Sequence, residues 1–329
     1  VKREAQVVKI NRKILSRSIA DCVYLRFTID DSRFTISAMP RQTHSSKPFA
    51  KKSFGQNFLV DKNYIEKIIN ALKLQTGESV IEIGAGRGAL TEKLVESSAE
   101  VIAVELDRDL IPLLKEKFAE NENFSLIEQD ALKLDFREVV NRQRTKDKGQ
   151  RTKLVANLPY YISTAILQKL IEQRESFSEM VLMFQREVVE RITAEPGNKE
   201  RGFLTVLVDA YLKAEKLFDV PPAAFRPAPK IWSAIVRLTP RETVEIENEK
   251  LFREIVSAGF AQRRKTILNN LKNAPAGLKE KIDDAEKLLD DCKIDSKRRA
   301  ETLTTEEWKR ILKKAEGARV SKGGERWRI

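Results

Sequence analysis

The sequence predicts an α/β protein: a mostly parallel sheet with helices on both faces and an antiparallel edge, followed by a small all-helical region. Three observations carry this. From about residue 61 the apolar period switches repeatedly between helical and strand spacing. The strand-like runs are short and each ends in a glycine, an acid or an amide. Beyond Pro240 the strand signal stops, and short amphipathic helices rich in Lys and Glu continue over residues 245–315. Strands that alternate with helices imply parallel pairing, because each crossover helix returns the chain to the same end of the sheet.

In order, Tyr64, Ile65, Ile68, Ile69 and Leu72 recur at helical spacing. Ser79 to Ile83 is a β-rich run ending in glycine, and Ala89 to Ser97 is helical. Glu100 to Val104 is a strand ending at Glu105, followed by a helix over Leu110 to Phe118. Phe124 to Glu128 is a strand ending at Asp130, and Lys153 to Ala156 one ending at Asn157. Thr164 to Glu172 reads as helix, Met180 to Phe184 as strand and Phe203 to Ala210 as helix. Strands at Leu212 to Val220 and Ile231 to Leu238, joined by the proline-punctuated loop Pro221 to Pro229, form the antiparallel edge.

The expected organisation is an N-terminal extension over residues 1–47, a sheet domain over 48–240, a helical domain over 241–316 and a loose basic tail over 317–329. The extension carries scattered β-branched residues, is expected to be disordered, and opens on Val1 with Met39 as a candidate initiator. A targeting segment is the rival reading, but Asp21, Asp30 and Asp31 fit an acid-poor transit peptide badly.

Composition narrows the chemistry. A net charge of +12 and a pI near 9.5 favour a polyanionic partner. The single histidine, His44, excludes a Ser-His-Asp triad and a His-rich metal site, and no metal is expected. Cys22 and Cys292 are too few and too far apart for a disulfide framework, which fits a reducing, cytoplasmic setting. No apolar run approaches the ~18 residues of a membrane span. The basic stretch Asn141 to Arg151 reads as a solvated lead-in to the strand ending at Asn157, on the rim opposite the strand carboxyl ends.

Four strand ends in succession carry Gly84, Glu105, Asp130 and Asn157. Turn formers commonly end strands, but four at one crevice rim point to a ligand. Gly84, Gly86 and Gly88 have the spacing G-x-G-x-G rather than the dinucleotide pattern G-x-G-x-x-G. Glu105, 21 residues after Gly84, is placed to accept both hydroxyls of a ribose. With Asp130 for an adenine amino group, the set suits S-adenosylmethionine, which has no pyrophosphate to neutralise.

Asn157-Leu158-Pro159-Tyr160 suggests methylation of an exocyclic amino group on a nucleobase. Such nitrogens are weak nucleophiles because the lone pair is delocalised into the ring. They need acceptors for both N–H bonds more than a strong base. The Asn157 side-chain oxygen and the Leu158 carbonyl are the candidate acceptors. Pro159 fixes its own φ and restricts Leu158. Tyr160 is a candidate to stack on the base. Phe225, between prolines, is either the second stacking ring or a core residue under the edge strands.

These motifs resemble, in order, those of the ribosomal RNA adenine N6,N6-dimethyltransferases. The resemblance runs from Lys51-Lys52-Ser53-Phe54-Gly55-Gln56-Asn57-Phe58-Leu59 through the glycine loop, Glu105, Asp130, Asn157 to Tyr160, Met183 to Val188, and Phe225 to Ala234. It covers roughly residues 48–315 and is nearest the bacterial small-subunit branch, the kasugamycin-resistance dimethyladenosine transferases. It implies a Rossmann-like methyltransferase domain followed by a helical RNA-binding domain. It implies dimethylation of two adjacent adenines near the 3′ end of 16S rRNA in an assembling small subunit, by a monomer. It also implies that Asn57 and Leu59 join the cofactor site, and that Arg263-Arg264-Lys265 grips RNA phosphate. Three alternatives stay open: a 23S rRNA methyltransferase of the erythromycin-resistance type, an assembly checkpoint whose binding matters more than catalysis, and a DNA amino-methyltransferase.

Overall fold

The computed structural model describes residues 25–30, 33–38, 55–97, 99–144, 152–282 and 284–324. The chain divides into two compact units, Val1–Phe49 and Ala50–Ile329. In the first, β1 (Leu25–Asp30) and β2 (Arg33–Ala38) pair antiparallel, from Leu25 opposite Ala38 to Asp30 opposite Arg33. An extension without regular structure is the sequence expectation, and over these residues it is corrected. The alternation Phe27, Ile29 and Phe34, Ile36 is the period-2 signal of a hairpin.

In the second unit the elements follow in chain order. They are β3 (Phe58–Leu59), α1 (Lys62–Leu72), β4 (Ser79–Ile83), α2 (Ala89–Glu96), β5 (Glu100–Glu105), α3 (Ile111–Lys117), β6 (Phe124–Glu128), α4 (Phe136–Arg144), β7 (Thr152–Asn157) and α5 (Tyr160–Glu172). Then come β8 (Phe177–Gln185), α6 (Arg186–Ile192), α7 (Phe203–Tyr211), β9 (Leu212–Val220), β10 (Phe225–Arg226) and β11 (Ser233–Pro240). The chain continues with α8 (Glu249–Gly259), α9 (Ile267–Lys272), α10 (Ala276–Ile282), α11 (Ala285–Asp291) and α12 (Thr305–Gly324).

Seven strands form one sheet in the order β6-β5-β4-β7-β8-β11-β9. The first five are parallel, and β11 is antiparallel to both β8 and β9. The fold is Rossmann-like with an antiparallel edge. Strand alternation divides the core between the faces. Val80, Val101, Val155 and Val181 join one apolar cluster with α1 and α2. Ile81, Ile102, Leu154 and Leu182 join the other with α5, α6 and α7. Burial on both faces explains why these strands read as nearly continuous apolar runs.

The helices after Pro240 share that second cluster. Trp308 of α12 is fully buried and stacks on Phe260, and a Cβ on Gly259 of α8 would meet its ring. Buried Arg174, just after α5, pairs with Glu249 of α8 at 2.6 Å. Sheet and helical region therefore form one compact unit. The backbone of α12 is helical to Gly324, where a loose tail is the sequence expectation. The sequence also misses α6, and the first turn of α5: the helix starts at Tyr160, directly after Pro159. Among the described residues no helix is long and apolar enough to cross a membrane.

Candidate active site

The carboxyl ends of β6, β5, β4 and β7 lie side by side, so the chain segments that follow them meet at one rim. After β4 the chain turns through glycines. Gly86 has φ +60°, a conformation that suits glycine. Its N–H donates to Glu105 Oε2 at 2.9 Å, and a Cβ there would stand 3.2 Å from the Phe58 ring. Glu105 ends β5, is 7 % exposed, and accepts two further N–H bonds at Oε1, from Leu106 (2.9 Å) and Asp107 (2.8 Å). Burial pushes its carboxyl above the ordinary range, and these three N–H bonds oppose that shift. The two N–H bonds fill the lone pairs of Oε1, while Oε2, with one, keeps acceptor capacity for a ligand hydroxyl. Asp130, after β6, holds its turn by accepting from Leu132 N–H at 2.9 Å.

The segment before β3 braces this rim. Gln56 Nε2 donates to Asp107 Oδ2 at 2.8 Å. Asn157 Nδ2 donates to the Asn57 carbonyl at 3.3 Å, and Asn57 Nδ2 to the Gly55 carbonyl at 3.2 Å. The Phe58 ring carries the Arg87 guanidinium 4.4 Å from its centroid. With the Asn157 nitrogen engaged, its Oδ1 is the atom left to accept from a substrate amino group. Beside it, the Leu158 side chain is buried in the larger apolar cluster, which fixes the peptide that carries the second acceptor.

Pro159 caps α5 with φ −58° and ψ 132°, and Tyr160 opens the helix. The Tyr160 hydroxyl shares a 2.8 Å hydrogen bond with Ser233 Oγ at the start of β11. Burial raises the phenol above its usual value, and the Ser233 bond offsets this only in part, so the ring stays neutral. Phe225 is 1 % exposed: it belongs to the apolar cluster, and β10 pairs it with Leu59 of β3. It also reaches the cleft wall. Phe225 is therefore a core residue that also borders the cleft.

An open cleft, about 860 Å³ with the solvent at its mouth included, brings together Asn57, Gly84, Gly86, Glu105, Asp130 and the whole of Asn157-Leu158-Pro159-Tyr160. Leu59 does not line it; the side chain is buried in the apolar cluster behind Phe225. Nor do Arg263, Arg264 and Lys265, which lie exposed in the connection between α8 and α9, with Arg263 donating to the Lys199 carbonyl. The leading residues 51–54 of the first motif, and His44 and Cys22, lie outside the described residues. Phe58, Asp107 and Tyr161, to which the sequence pattern gives no role, also line the cleft. The only signals were an acid two residues after Glu105 and aromatics beside Asn57 and Tyr160.

The cleft fits S-adenosylmethionine. A side chain at Gly86 would press on the Phe58 ring, 3.2 Å from its Cβ, and crowd the cleft wall that both residues line. Apolar Ile83, Val104, Leu106 and Ala131 alternate with the acids Glu105 and Asp130, as an adenosine requires. Behind the loop, Glu82 is fully buried and accepts from Thr91 Oγ1 at 2.6 Å, tying β4 to α2 beneath the glycines. Burial pushes its carboxyl up to about 7.

A family model described as ribosomal RNA adenine dimethylase matches residues 49–311. The chain is 44 % identical over 260 residues to a ribosomal RNA small subunit methyltransferase A of Bacillus cereus, covering 78 % of this chain and 88 % of that protein. A Bacillus anthracis protein of the same description is 43 % identical over the same shares. Among solved structures, a dimethyladenosine transferase from Plasmodium falciparum superposes with a TM-score of 0.65 at 28 % identity, over 79 % of this chain and 98 % of that one. The 23S rRNA methyltransferase ErmE superposes with a TM-score of 0.59 at 24 % identity, over 79 % of this chain and 100 % of that one; this likeness shows the fold alone. The chain belongs to the ribosomal RNA adenine dimethylase family and is an S-adenosylmethionine-dependent methyltransferase.

Proposed function

We propose that this enzyme dimethylates N6 of two adjacent adenines near the 3′ end of 16S rRNA during assembly of the small ribosomal subunit. The observation that carries the reaction is the fixed amide of Asn157, whose nitrogen is held by the Asn57 carbonyl beside the glycine loop and Glu105. The choice of small-subunit RNA is supported by the 44 % identical relative described as a ribosomal RNA small subunit methyltransferase A.

In this reading Glu105 holds the ribose of the cofactor, Asp130 its adenine, and the Gly84–Gly86 backbone its amino-acid part; Asn57 closes the same site. Leu59, outside the cleft lining, supports the site through the pairing of β3 with β10 rather than by touching the cofactor. S-adenosylmethionine, when bound, supplies an electrophilic methyl group. Asn157 Oδ1 and the Leu158 carbonyl accept the two hydrogens of the adenine amino group and turn its lone pair out of the ring plane. Tyr160 and the cleft-facing side of Phe225 hold the flipped base. The proton leaves to solvent, since neutral Tyr160 is no base. Catalysis is positioning with hydrogen bonding.

Arg263, Arg264 and Lys265 grip phosphate from the helical region, which we assign to RNA binding over residues 241–316. Exposed apolar groups at the cleft, Leu106 and Tyr161, serve the substrate rather than a second subunit, which supports a monomer. A ribosomal substrate shared with the bacterial relatives supports a cytoplasmic site of action. The test is methyl incorporation into undermethylated small subunits, with primer extension at the 3′-end adenines. No incorporation there, together with good incorporation into large-subunit RNA, would overturn the assignment.

A further inference from the structure

Trp232 has no part in the chemistry described above, yet it stands beside it. The next residue, Ser233, carries the hydroxyl bonded to Tyr160. The Trp232 carbonyl accepts from Arg186 N–H at 2.9 Å, which ties the start of β11 to the end of β8. This is the rim of Asn157, because β8 runs parallel to β7 and Asn157 pairs with Met183, two residues before Gln185. Trp232 is 45 % exposed. The Arg186 guanidinium lies 6.0 Å from the indole centroid, with its Nε 3.5 Å from Glu190. Arg226 and Lys230, in the loop leading to Trp232, are exposed as well.

We propose that Trp232, flanked by Arg186, is a stacking platform for an unpaired nucleotide next to the target adenine. This rests on the RNA-methylation reading and extends it from the flipped base to its neighbour. Flipping a base out of its stack deprives the adjacent base of a partner. An exposed indole restores that contact without regard to base identity. The Arg186 guanidinium, 6.0 Å from the indole centroid, meets the phosphate that follows. The occupant is argued from charge and size. The surface carries Arg186, Arg226 and Lys230, on a chain of net charge +12. Its exposed apolar part is Ile231 and Trp232, far short of a protein–protein core.

The test is binding of a fluorescently labelled single-stranded RNA to the full chain, read by anisotropy without methyl donor. It compares wild type with W232F, W232L and W232A, each checked for an unchanged melting temperature. The platform requires W232L and W232A to bind roughly tenfold more weakly and W232F within about threefold. The salt dependence stays the same, because stacking releases no counterions. Wild-type affinity in W232L overturns the platform. So does wild-type RNA affinity joined to failure on assembled particles, which would mean that Trp232 faces a ribosomal protein. An abasic nucleotide beside the target adenine should weaken wild type but not W232A; additive losses also count against the proposal. Failure of wild type to methylate small subunits would sink the proposed function instead, while the anisotropy comparison still decides the platform.

Discussion

The Asn157 amide nitrogen donates to the backbone carbonyl of Asn57 at 3.3 Å, across 100 residues of sequence. That bond sets which way the amide faces. Asn157→Ala removes the acceptor for the substrate amino group, and single-turnover methyl transfer should fall by about 10²–10³, the scale of losing one preorganised polar contact in a transition state. RNA affinity should hold. Asn57→Ala spares the carbonyl and should cost less than about tenfold, the scale of one neutral hydrogen bond. Turnover in N157A within a few-fold of wild type would remove its acceptor role.

Glu82 should give the fold a pH dependence that its glutamine variant lacks. Burial raises its carboxyl from the ordinary 4.5 to about 7. The folded state therefore binds this proton more tightly than the unfolded state. The stabilisation is fully present below about 4.5 and is lost as pH rises through about 7. Across that window wild type should lose up to roughly 3 kcal/mol relative to Glu82→Gln. Melting temperatures of both proteins from pH 4.5 to 8 measure this. Parallel curves would mean that Glu82 does not titrate there.

Phe225 is buried in the core and borders the cleft, and two substitutions separate a packing role from a substrate role. Phe225→Ala should destabilise by about 3–5 kcal/mol through the cavity it leaves. Phe225→Leu keeps most of the volume, should cost under about 1.5 kcal/mol, and loses the ring face. If the ring holds the adenine, F225L turns over roughly tenfold more slowly. Wild-type kinetics in a stable F225L would confine Phe225 to the core.

The exposed connection bearing Arg263, Arg264 and Lys265 should set the salt response of RNA binding. Replacing all three with Ala should lower the slope of log affinity against log salt by about 2, at ~0.7 for each lost phosphate contact on single-stranded RNA. Stability should barely change, since the side chains are exposed. A slope equal to that of wild type would place the RNA elsewhere.

The sequence by itself determined the sheet, because alternating strand and helical periods are local properties of the chain. It also determined the strand-end residues Gly84, Glu105, Asp130 and Asn157, since a strand end is visible as the point where an apolar run meets a polar residue. Only the tertiary structure decided which atoms of those residues are free. Glu105 already holds three N–H groups and Asn157 already spends its nitrogen on Asn57. These partners come from segments up to 100 residues away, and periodicity carries no record of them. The same holds for Phe225, whose burial depends on the pairing of β10 with β3, and for Glu82, whose raised carboxyl follows from being enclosed on every side. Pattern shows which residues a segment must bury; it takes the folded packing to show what each buried polar group touches.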